Sequence, residues 1–155
     1  MSKIARTRSG HVQVAPDTPS FGTWSAGAPT AVVLLDESDS SWRALNRALL
    51  ESPCASSVRP VLFQQRRWFE GVCSLVVTDV SVGVTLEALR REILVEYRDM
   101  LPLRGVRGLR VVETRRAVFA AIGAEPLTRV FANRRMARVI RAGAARRGLD
   151  VVVVD

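Results

Sequence analysis

The sequence predicts an α+β domain with a ferredoxin-like βαββαβ core, extended by a C-terminal helix and strand and preceded by a flexible N-terminal arm. Three observations predict it. Between Gly71 and Leu101 a β-branched run turns directly into a helix. Val58–Gln64 and the strand that begins at Gly71 are apolar segments joined by a short connection, which reads as an antiparallel hairpin. The remaining segments complete the order β α β β α β, then α α β. A three-layer, mostly parallel α/β sheet is the alternative, with Ala31–Leu35, the strand at 106–113 and the last strand made parallel through helical crossovers.

Residues 1–29 read as a basic, Pro/Gly/Ser-rich arm, and residues 30–155 as a single α+β domain. The arm carries Lys3, Arg6 and Arg8 against Asp17 alone, too polar a segment to bury a core of its own. It suits a nucleic-acid surface, a mitochondrial transit peptide or a loose terminus pinned to the core by Phe21 and Trp24. Ala31–Leu35 is a continuous apolar run and reads as a buried central strand. Ser38, Asp39 or Ser40 can cap the helix that follows at about 41–51, with Trp42, Leu45 and Leu49 inward and Pro53 ending the region. Val58–Gln64 is the second strand, and Pro60 points to an edge or a bulge.

In the third strand Cys73, Leu75, Val76 and Val77 are apolar on both faces. Val80, Val82 and Val84 then alternate with Ser81 and Gly83, so the strand reads on to Val84. After Thr85 the period changes. Leu86, Leu89, Ile93, Tyr97 and Met100 make one helical stripe, Glu87 pairs with Arg91 one turn on, and Pro102 stops the helix. Val106–Glu113 is the next strand, and a short helix over 115–122 ends at Gly123. Pro126 opens a helix that runs to Arg147, with Gly148 as its stop. Val151–Val154 is the last strand.

Apolar residues make up 48% of the chain, enough for a core, and no run approaches the ~20 apolar residues of a membrane span. The net charge is +8. Residues 1–100 hold eleven Lys/Arg and eleven Asp/Glu, so the whole excess lies in residues 101–155, with twelve Arg against four acids. Lys3 is the only lysine. Arginine offers a planar fork that matches phosphate and stacks on bases. Cys54 and Cys73 are the only cysteines and His11 the only histidine. That count excludes a Cys/His zinc site and leaves His-based nucleophilic catalysis only to a tail residue. It fits an intracellular, reducing compartment, the cytoplasm rather than the mitochondrion.

Three constellations carry possible chemistry. In the C-terminal helix, Arg134, Arg135, Arg138, Arg141 and Arg146 share one arc, opposite Met136, Val139, Ile140 and Gly143. Closely spaced cations of this kind meet phosphate backbones. Upstream the arc is broken, because Val130 and Phe131 fall on the arginine side. The second constellation is Arg66-Arg67-Trp68, cations beside an aromatic at the hairpin, suited to phosphate contact and base stacking. The third is acidic. Asp36 closes the first strand and Asp79 interrupts the third, and carboxylates at strand ends can hold Mg²⁺ for phosphodiester cleavage. Neither GxxxxGK[ST] nor GxGxxG follows a strand. The resulting expectation is a non-catalytic RNA-binding protein, without a cofactor, that contacts RNA or another polyanion as part of a larger assembly or homo-oligomer. A Mg²⁺-dependent nuclease using Asp36 and Asp79, or an assembly protein that meets an acidic partner, are the alternatives.

Overall fold

Ala31–Leu35 has no polar face, and such a strand has to be covered on both sides. The computed structural model, which describes residues 20–21, 31–64, 80–123 and 129–155, covers it in this way. In chain order the elements are β1 (Ser20–Phe21), β2 (Ala31–Leu35), α1 (Ser40–Glu51), β3 (Val58–Phe63), α2 (Val80–Leu103), β4 (Leu109–Val112), α3 (Arg115–Ile122), β5 (Arg129–Asn133), α4 (Arg134–Arg147) and β6 (Asp150–Val154). One sheet is formed in the order β1-β4-β3-β2-β5-β6. Strands β2 to β6 are parallel to their neighbours, and the two-residue β1 lies antiparallel on β4.

Successive side chains of β2 point to opposite faces, and each face has its own core. Ala31, Val33 and Leu35 pack with Ala44, Leu45 and Ala48 of α1 and with Tyr97 and Leu101 of α2. Val32 and Leu34 pack with Val118 and Ile122 of α3 and with Met136, Ile140 and Ala144 of α4. The chain winds from β2 outward to β4, then returns past β2 to β5 and β6. Strand order therefore reverses between β2 and β5, the place where open parallel sheets leave a crevice at their carboxyl edge.

This architecture overturns the ferredoxin-like expectation. β3 is flanked by β2 on one side and β4 on the other, both parallel, so it has no edge for a hairpin partner. Gly71–Val77, the segment assigned to that partner, lies outside the described residues. Val80–Val84 is helix, not strand; five residues of alternating valine fit either period, and context decides. Pro102 lies within the last turn of α2, which ends at Leu103. Pro60 is in an interior strand, where the β4 ladder begins only at Val61.

The largest correction falls on residues 126–147. The expected single helix is a strand, β5, followed at once by α4. Val130, Phe131 and Ala132 are buried between β2 and β6, and burial on both faces is what placed Val130 and Phe131 on the wrong arc of a helix. Asn133 makes the break. Its side chain accepts a hydrogen bond from the Met136 backbone N–H and caps α4. Gly148 closes the helix in the left-handed region, at φ 62°.

Candidate functional site

Asp36 follows β2 at the reversal point, and its side chain is 1% exposed. A carboxylate so placed needs donors, and the serines of the next turn supply them. Oδ1 accepts from the Ser38 N–H at 2.9 Å, the Ser38 hydroxyl at 2.5 Å and the Ser41 hydroxyl at 2.6 Å. Ser41 Oγ in turn accepts from the Asp36 N–H at 2.9 Å. Ser38 and Ser40, expected as helix caps, are thus drawn into a side-chain network, and Asp39 at the N-cap makes no side-chain cap bond. Tyr97 closes the network from α2, donating its hydroxyl to the Asp36 carbonyl at 2.8 Å; burial pushes its phenol pKa up.

Asn133 reaches the same cluster from the end of β5. Its Nδ2 lies 2.9 Å from Ser38 Oγ, 3.0 Å from Asp36 Oδ1, 3.0 Å from Ser40 Oγ and 3.2 Å from Ser41 Oγ. Two hydrogens serve four oxygens, so the amide is the hub on which β2, α1 and β5 converge. Its own oxygen, 2.8 Å from the Met136 N–H, fixes which way the amide points. Burial alone raises the Asp36 pKa, but hydrogen bonds from Ser38, Ser41 and Asn133 outweigh it and hold the carboxyl below its ordinary value. Oδ2 has no hydrogen bond and faces Arg135 Nη1 at 3.8 Å.

Above this floor the carboxyl edge is basic. The first turn of α4 contains Arg134 and Arg135 and no acid, against the preference of a helix start for negative charge. Intramolecular acids offset this in part. Arg134 holds Asp155 at 2.7 and 2.9 Å, and Arg135 pairs with Glu37. A hollow of about 450 Å³ opens here, lined by Ser38, Ser40, Arg134, Arg135, Arg138 and the strand end Val154–Asp155. A second, of about 420 Å³, shares Arg134 and Arg138 with it and continues between α4 and β6, past Arg141. Both hollows lie along the side of α4 that carries Arg134 and Arg138, while Met136 and Ile140 are buried on its inner side.

Of the expected site, the structure therefore places Arg134, Arg135 and Arg138 around the first hollow and Arg134, Arg138 and Arg141 around the second, with Arg135 alone close to Asp36. Arg146 is exposed, lines neither hollow and donates back to the Ala142 carbonyl at 3.3 Å. Arg66, Arg67, Trp68 and Asp79 lie outside the described residues. Among the described residues no three His, Cys, Asp or Glu side chains are grouped to hold a metal ion, and no helix is long and apolar enough to cross a membrane. Ser38, Ser40, Ser41 and Asn133 were not expected as site residues. Their signal was present in Asp36-Glu37-Ser38-Asp39-Ser40-Ser41 directly after a fully apolar strand, and in an Asn immediately before an amphipathic helix. Comparison with protein families, with curated proteins and with solved structures returned no match.

Proposed function

We propose that this protein binds RNA without cleaving it, holding phosphates along the track that starts in the crevice between β2 and β5 and runs down α4. The observation that carries this reading is the pair of hollows that share Arg134 and Arg138. A single small anion needs only the first; cations continuing into the second suit a chain of phosphates. Ser38 and Ser40 supply hydroxyls at the crevice end, and the positive end of α4 adds to the field of its own arginines. The nuclease alternative draws no support from Asp36, whose carboxylate is buried beneath the serines rather than set in the hollow's wall.

A second reading is a mononucleotide seated in the first hollow alone. Its size falls in the range of small-ligand sites, ~300–1,000 Å³, and it lies where strand order reverses. Salt titration separates the two. Each phosphate contact with single-stranded RNA contributes roughly 0.7 to the fall of log K with log salt. Changing Arg134, Arg138 and Arg141 together to Gln lowers affinity for all sequences alike and flattens that slope by about two. If a nucleoside monophosphate abolishes RNA binding at its own saturation and the triple variant leaves the slope intact, the second reading replaces the first. Unchanged RNA affinity in a folded triple variant, with no competition, removes both.

A further inference from the structure

Among the described residues the longer edge of the sheet is β6. Natural edge strands are kept from pairing by lysine, proline, a bulge or a charge within the strand. β6 has no lysine, proline or bulge, and its one charge is Asp150 at the first position. Its register on β5 is continuous from Asp150 to Val154, and four valines fill it between Asp150 and Asp155. Among the described residues its only ladder partner is β5. Val153 is 50% exposed, and beside it the second hollow exposes Leu149, Val151 and Ala145.

The charges at the two ends of the strand are already answered. Arg129 Nε holds Asp150 at 2.8 Å, and Arg134 Nη2 holds Asp155 at 2.7 Å. A like strand therefore meets a neutral edge with an apolar middle. We propose that this edge is an interface with a second copy of the chain, the two β6 strands pairing antiparallel about a two-fold axis and joining two sheets into one. Such an axis stands perpendicular to the sheet and keeps each side chain on its own face, so a residue pairs only with one an even number of positions away, and the residue on the axis pairs with its own copy. Asp150 and Asp155 are an odd number of positions apart, so they never face one another. With Val152 on the axis, Asp150 faces the partner's Val154; with Val153 on it, Asp155 faces the partner's Val151. In both registers valine meets valine at the centre. The same axis sets both α4 helices on one face of the joined sheet.

The test is the mass of the full chain in solution. Sedimentation equilibrium over two decades of concentration should show the mass rise from 17.0 kDa toward twice that value. Val153→Lys should raise the dissociation constant by about tenfold or more, because a lysine in the middle of an edge strand opposes pairing in either register, and with Val153 on the axis it also faces its own copy, while Val153→Thr keeps the dimer. A monomeric wild type at every concentration overturns the proposal, and so does a folded Val153→Lys variant that dimerises unchanged. Should Val153→Lys fail to fold, amide hydrogen exchange of the wild type decides. Exchange across residues 150–154 slows as concentration rises if β6 pairs; exchange there that is independent of concentration refutes it.

Discussion

Replacing Asn133 by Asp exposes the role of the hub without changing its shape. The substitution keeps the oxygen that caps α4 at Met136, but turns the donor that touches Asp36 Oδ1 at 3.0 Å into a second acceptor. Two full charges at that distance repel by about 5 kcal/mol at an effective dielectric constant near 20. Taking up one proton is cheaper. Holding a carboxyl protonated at pH 7, when the unfolded chain releases it near 3.9, costs about 4 kcal/mol at 1.36 kcal/mol per pH unit. The folded variant therefore shares one proton across the pair and is destabilised by about 4 kcal/mol at pH 7, falling to roughly 1.5 kcal/mol at pH 5. The sign is opposite to that of the wild type. There the Asp36 carboxyl is held low, so its contribution is fully present above about 3.9 and is lost only as pH falls through the lower folded value. Urea unfolding of both proteins at pH 7 and pH 5, with EDTA present, measures the difference. A destabilisation that does not change with pH, or wild-type stability at pH 7, would refute the close contact between the two side chains.

Other consequences are smaller. Tyr97→Phe leaves the buried Asp36 carbonyl without its donor and should cost about 1–2 kcal/mol, seen as a lower urea midpoint at unchanged slope. Gly148→Ala places a Cβ in the left-handed region at φ 62° with open space around it, so backbone strain alone should cost about 1 kcal/mol in thermal unfolding. Adding Mg²⁺ to protein and labelled RNA should give no cleavage on a gel; turnover that Asp36→Asn abolishes in a folded protein would restore the nuclease reading.

The elements that could be read from the sequence are those in which one local signal decides. Ala31–Leu35 is apolar throughout, and Gly123 and Gly148 mark helix ends that the structure confirms at positive φ. The topology could not be read in this way. Nothing within Val58–Phe63 distinguishes a strand with antiparallel neighbours from one with two parallel neighbours, because pairing direction depends on segments far along the chain. Arg129–Asn133 was misread for a related reason. Its strand is short, its middle residues Val130, Phe131 and Ala132 are apolar on both faces, and a helix follows without a connecting loop, so its pattern merged with that of α4. The arginine side of α4 was legible because amphipathic spacing is local. The Asp36–Asn133 contact was not, because it spans 97 positions and exists only once β2 and β5 are neighbours.

The most direct test of the central claim is where RNA touches the protein. A two-dimensional amide and guanidinium NMR spectrum, titrated with a short single-stranded RNA, should move the signals of Ser38, Ser40, Arg134, Arg135, Arg138 and Arg141. Those of Arg115 and Arg116, exposed at the start of α3, should stay in place. Shifts centred on Arg115 and Arg116, or a spectrum unchanged at saturating RNA, would contradict a phosphate track along α4.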